Sequence, residues 1–81
     1  MELQVAPNPS TGRFRIELPF PAKQELQVTV YNNLGKVIVN QAFDPQSKSI
    51  NIDLSQYPVG MYLLKVRMDN TSFKLKKVII Q

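Results

Sequence analysis

The 81 residues carry 10 Lys or Arg against 6 Asp or Glu, a net charge of +4, and contain no His, Cys or Trp. That length suits one small domain, and a chain that is 43% apolar and 20% charged is foldable rather than disordered or membrane-embedded. Without Cys there is no disulfide framework; without Cys and His the usual zinc, iron and copper ligands are missing, and so is the commonest general base near neutral pH.

A period of two runs along most of the chain. Glu2 to Ala6 reads as a short first strand. Pro7-Asn8-Pro9-Ser10-Thr11-Gly12 closes it, because proline lacks the N–H that a ladder needs and glycine readily takes positive φ. Phe14, Ile16 and Leu18 alternate with Arg13, Arg15 and Glu17 in a second strand, and Pro19-Phe20-Pro21 forces an extended loop. Leu26, Val28 and Val30 alternate with Gln27, Thr29 and Tyr31 in a third, followed by a tight turn at Asn32-Asn33-Leu34-Gly35. Lys36 to Phe43 is a fourth, with apolar residues on both phases, and Asp44-Pro45-Gln46-Ser47 is a second tight connection. Ile50, Ile52 and Leu54 alternate with Asn51 and Asp53 in a fifth, and Ser55 to Gly60 is a longer crossover. Met61 to Met68 is again apolar on both phases, Asp69-Asn70-Thr71 is a hairpin tip, and Ser72 to Ile80 is the last strand. Strands apolar on both phases are expected in sheet interiors or covered on both faces.

Seven short strands at about 8–12-residue spacing, with no helical periodicity, predict an all-β fold, a single immunoglobulin-like antiparallel β-sandwich. Residues 1–81 show no repeat, low-complexity tract or linker and are expected to be one domain. No apolar run approaches the ~20 residues of a membrane-spanning helix. Met1 is not followed by a signal peptide, so an exported domain would carry its address elsewhere, within a longer polypeptide.

Catalytic and ligand-binding arrangements are scarce. Asp44, Asp53 and Asp69 fall at or beside turns, where Asp caps its own backbone, and no EF-hand spacing occurs. Nothing in the spacing of Glu17 and Glu25 marks a pair of glycosidase carboxylates. Ser47-Lys48-Ser49 places adjacent side chains on opposite strand faces, the wrong geometry for mutual activation. No catalytic site, cofactor site or metal site is expected. The seven aromatics form no basic stripe for stacking nucleobases, so nucleic acid is not an expected partner. Asn70-Thr71-Ser72 matches the glycosylation sequon, whereas proline excludes Asn8-Pro9-Ser10.

The last hairpin holds half of the basic residues. Lys65 and Arg67 share one strand face and Lys74 and Lys76 share a face of the next, so a turn near Asn70 would make them cross-strand or diagonal neighbours. Such a patch serves an anionic partner, or its lysines simply block unwanted strand addition at an exposed edge. Phe73 and Leu75 set one inward phase and Val78 and Ile80 the other, with Lys76-Lys77 between them. Either a bulge restores burial, or both faces of Val78-Ile79-Ile80 are apolar because something covers one of them.

Four blocks, in order, resemble one family. Pro7-Asn8-Pro9-Ser10-Thr11-Gly12-Arg13-Phe14 looks like the opening signature of the type A C-terminal sorting domains of the type IX secretion system. Val30 to Val37 is similar to the second block, Leu54 to Val66 to the third, and Phe73 to Ile80 to the closing Lys-rich, then aliphatic, strand. Together they cover nearly the whole chain. Ala6 departs from the pattern, since an aromatic often precedes the Pro-Asn-Pro.

The resemblance implies an immunoglobulin-like sandwich at the C-terminus of a protein exported by a double-membraned bacterium. Such a domain is read by the outer-membrane translocon once a separate N-terminal signal has brought the cargo to the periplasm. A surface sortase then commonly removes it, by cleavage upstream of the sandwich near or before Glu2, and can join the cargo to anionic lipopolysaccharide. Pro7, Asn8, Pro9 and Gly12 would shape the first corner, Gly35 and Gly60 the turns, and Tyr62, Leu64 and Val66 the core. Lys76, Lys77, Val78, Ile79 and Ile80 are the expected recognition element, with Lys65, Arg67 and Lys74 as a possible basic patch. The alternatives are an adhesion or carbohydrate-binding sandwich, with Tyr31 and Tyr57 as its outward aromatics, and an inert spacer.

Overall fold

The computed structural model describes residues 4–6, 11–18, 24–44, 48–67 and 73–81. Its strands are β1 (Gln4–Ala6), β2 (Arg13–Glu17), β3 (Leu26–Tyr31), β4 (Val37–Phe43), β5 (Ser49–Asp53), β6 (Gly60–Arg67) and β7 (Phe73–Ile80), and no helix occurs among the described residues. They form a three-stranded sheet in the order β1-β2-β5 and a four-stranded sheet in the order β4-β3-β6-β7, with every pairing antiparallel. The expected all-β sandwich of seven strands is therefore observed. Relative to the immunoglobulin constant arrangement, the fourth strand has moved from beside the fifth to beside the third.

Alternation explains the packing. Phe14 and Ile16 of β2 lie across from Ile52 and Ile50 of β5, and all four are buried. Val28 and Val30 of β3 lie across from Val66 and Leu64 of β6, also buried. Leu18, Leu26, Leu54, Tyr62, Val78 and Ile80 complete the same cluster. At ~1.5–3 kcal/mol for each large apolar side chain removed from water, this layer is what holds two sheets together without a disulfide.

β6 lies inside its sheet, between β3 and β7, as its two-phase apolarity predicts. β4 does not: it is an edge strand. Its register shifts, with Val39 across from Val30 but Val37 across from Tyr31, so that Ile38 is the extra residue of a bulge. The bulge lets Ile38 and Val39 both lean on the core while Val37 stays exposed. Apolar residues on both phases of β4 come from that irregularity rather than from coverage of both faces.

Two connections carry clear local chemistry. At the β3–β4 turn the Asn32 side-chain oxygen accepts from the amides of Leu34 and Lys36, both at 2.9 Å, and the Gly35 amide donates to the Asn32 carbonyl. Gly35 has φ +83°, the left-handed residue that a three-residue hairpin loop needs. At the start of β2, Gly12 is buried with φ +118°, and its carbonyl accepts from the Leu54 amide at 2.7 Å. A Cβ at Gly12 would lie 2.7 Å from the Ser55 Cα, so only glycine lets these backbones meet.

Candidate recognition surface

β7 pairs with β6 in one unbroken register, from Gly60 opposite Ile80 to Arg67 opposite Phe73. No bulge is present in this pair. Val78 faces Tyr62 and Ile80 faces Gly60, and both aliphatic side chains are buried in the core. Lys74 and Lys76 share that inward phase, opposite Val66 and Leu64, but their side chains are exposed. The inward phase is thus Lys74, Lys76, Val78 and Ile80. Phe73 and Leu75, expected inward, instead point outward with Lys77 and Ile79.

The five residues of the expected recognition element are therefore divided. Val78 and Ile80 are structural and closed to a partner while the domain is folded. Lys76, Lys77 and Ile79 are exposed, Lys76 on one side of the strand and the other two on the opposite side.

The basic residues of the last hairpin are divided in the same way. Lys65 lies across from Leu75 and Arg67 across from Phe73, on the outer face. Lys74 and Lys76 belong to the other face, so the expected cross-strand opposition of the four does not occur. Like charges directly opposed would destabilise the ladder, whereas each cation here faces an apolar partner. The Lys65 ammonium also sits 4.8 Å from the centre of the Phe73 ring, a diagonal cation–π contact.

The outer face of the four-stranded sheet is built in rows. Val37, Tyr31, Leu63 and Lys77 follow one another across the four strands. Asn40, Thr29, Lys65 and Leu75 form the next row, then Ala42, Gln27, Arg67 and Phe73, while Met61 and Ile79 pair at the other end. Met61, Leu63, Phe73, Leu75 and Ile79 are 40–52% exposed. The opposite outer face, on the three-stranded sheet, carries ion pairs instead: Arg13 with Asp53 at 3.5 Å and Arg15 with Glu17 at 2.8 Å. The apolar outer stripe had a signal in the sequence, the two-phase apolarity of residues 61–68 and 73–80.

The remaining expected positions are scattered supports. Tyr62 is buried, and its hydroxyl donates to the Pro58 carbonyl at 2.5 Å, a tether between strand start and preceding loop like the tyrosine corner of immunoglobulin-type sandwiches. Gly60 opens β6. Pro7, Asn8 and Pro9 lie outside the described residues, as do Ser47 and the sequon at Asn70-Thr71-Ser72. Asp53 accepts from the Ser55 amide at 2.9 Å; hydrogen bonding from the Ser55 side chain first, then from that amide, with a smaller contribution from the nearby Arg13, holds its carboxyl below the ordinary value of 3.8. Among the described residues no three acidic, His or Cys side chains gather into a metal-binding group. Tyr31 and Tyr57 do not form a platform: Tyr31 is half-buried on β3, and the Tyr57 hydroxyl donates to the Ile38 carbonyl from the loop after β5. Among the described residues no helix is long and apolar enough to cross a membrane.

A comparison with curated proteins finds no match. The family model described as "Secretion system C-terminal sorting domain" matches residues 4–81, essentially the whole chain and all seven strands. A domain of this kind is a sorting signal for type IX secretion, which implies contact with the secretion machinery and export to the cell surface or beyond. This chain belongs to the type IX secretion system C-terminal sorting domains.

Proposed function

We propose that this domain is a non-catalytic label, recognised in its folded state by the outer-membrane translocon through the exposed side chains of β7. One observation supports this reading above the others. Within the last strand, Val78 and Ile80 are given over to the core while Lys76, Lys77 and Ile79 remain at the surface of a sheet edge. One strand then serves two purposes, since its exposed residues are presented only when its buried ones are seated. The attached cargo passes through the periplasm to the surface or the medium, and a surface sortase cuts upstream of the sandwich, near or before Glu2. Anionic lipopolysaccharide is the cargo's eventual acceptor. The domain itself contributes no catalytic group.

A periplasmic reporter fused ahead of residues 1–81, in a bacterium with this secretion system, tests the reading. The reporter should appear outside the cell, and without the domain it should stay in the periplasm. Truncation after Lys76 would also remove Val78 and Ile80 and so unfold the domain. Lys76→Glu with Lys77→Glu is the cleaner change, and normal export of that double variant would contradict recognition through β7.

A further inference from the structure

We infer that the free edge of β5 is a strand-addition site, where an extended, uncharged segment of a protein of the export machinery pairs backbone to backbone. This rests on the sorting-domain reading, which supplies the class of partner, and adds a second contact to that of the last strand. In the β2–β5 ladder the Leu18 amide donates to the Lys48 carbonyl at 2.9 Å and the Leu54 amide to the Gly12 carbonyl at 2.7 Å. These bonds bracket one unbroken register, so the hydrogen-bonded pairs between them are Phe14 with Ile52 and Ile16 with Ile50. The alternate residues of β5, namely Ser49, Asn51 and Asp53, therefore turn their N–H and C=O groups away from β2. No other strand pairs with β5 among the described residues. Main-chain donors and acceptors that repeat every ~6.6 Å along a line are matched by another extended chain.

The other three edges are guarded. β1 has only three residues, β4 is bulged and has its Ile38 carbonyl taken by the Tyr57 hydroxyl, and β7 carries Lys74, Lys76 and Lys77. β5 has no Pro, Lys or bulge, and its one acidic side chain, Asp53, is paired with Arg13. With β4 beside β3, the place next to β5 is an open cleft of about 380 Å³, floored by Val39 and Gln41 of β4 and flanked by Gln56 and Tyr57. An added strand would turn alternate side chains into this cleft, where Val39 and Ile52 lie beside Gln41 and Asn51. Small β-branched residues such as Val and Thr suit that mixed lining, and no unpaired charge there asks for a counter-charge. A second copy does not fit. Twofold pairing of β5 with itself would drive a second β4 into the place that the first already underlies. A single extended segment brings no second layer with it.

The test uses the reporter fused ahead of residues 1–81 in a bacterium with the secretion system, with thermal unfolding of each fusion as the folding control. Asn51→Pro removes an outward N–H that the β2 ladder does not use, and proline is tolerated at a free edge. Ser49→Pro does the same at the first residue of the strand, so that either variant serves if the other fails to fold. Each should cut the exported fraction by about tenfold while the domain stays folded. Asn51→Ala, which deletes the side chain but keeps the amide, should export like the parent. If the parent fusion itself stays in the periplasm, the sorting reading fails. If the parent and the folded proline variants are exported equally, this inference alone fails. Equal losses in Asn51→Ala and Asn51→Pro would overturn it in favour of side-chain recognition. A dimer in sedimentation velocity that Asn51→Pro dissolves would overturn it in favour of a second copy.

Discussion

Val78 lies directly opposite Tyr62 in the β6–β7 ladder, and both side chains are buried in the core that joins the two sheets. Its neighbours on either side, Lys77 and Ile79, are exposed on the other face of the strand. Val78→Ala should therefore cost about 2 kcal/mol, from lost apolar burial and the cavity left behind. Lys76→Ala should change stability by no more than about 0.5 kcal/mol. Urea unfolding of the two variants beside the parent measures the contrast.

Gly12 and Gly35 both have positive φ, but their surroundings differ. A Cβ at Gly12 would press on the Ser55 backbone at 2.7 Å, whereas at Gly35 nothing lies within 4 Å. Gly35→Ala should cost only about 1–2 kcal/mol, for the left-handed conformation itself. Gly12→Ala should cost more, about 3 kcal/mol or above, because the end of β5 must also move. Chemical denaturation midpoints of the two variants decide the order.

Removal of one oxygen checks the tether at the start of β6. Tyr62→Phe keeps the ring in the core but leaves the Pro58 carbonyl without its donor. A loss of about 1 kcal/mol is expected, typical of one hydrogen bond at a partly buried site. Equilibrium unfolding monitored by circular dichroism reads it.

The strands were legible from local pattern because a half-buried strand must alternate with a period of two, and the runs around Phe14, Val28 and Ile52 do so cleanly. The turn at Asn32 to Gly35 was legible for a similar reason, since its residue types match a particular backbone geometry. Which strand lies beside which depends on partners distant in the chain, and no local pattern carries that. The edge position of β4 was hidden by the bulge at Ile38, which puts apolar residues on both phases for a reason unrelated to coverage. Phe73 and Leu75 misled for a different reason: apolar outward residues look the same in a sequence as inward ones. The expectation that Lys76 to Ile80 form the recognition element came with the resemblance to a family, but their division into buried and exposed side chains required the register with β6.

Asp53 gives the domain an acid-sensitive contact. Its carboxyl is held below 3.8 by the Ser55 side chain and amide and, less, by Arg13, so the folded state binds this proton less readily than the unfolded chain. The stabilisation is complete above the unfolded value and is lost as the pH falls through the lower folded one. The urea midpoint of the parent should therefore exceed that of Asp53→Asn at pH 6, and the gap should narrow progressively below pH 3.8. Because the carboxylate is exposed, added salt should also reduce the gap at pH 6.

The most direct measurement of recognition through β7 is the exported fraction of a reporter fused to residues 1–81, compared between the parent and the Lys76→Glu, Lys77→Glu double variant, with the melting temperature of each fusion determined alongside. Retention of the double variant in the periplasm, at an unchanged melting temperature, is the predicted result. Export at the parent level by that folded variant would contradict it.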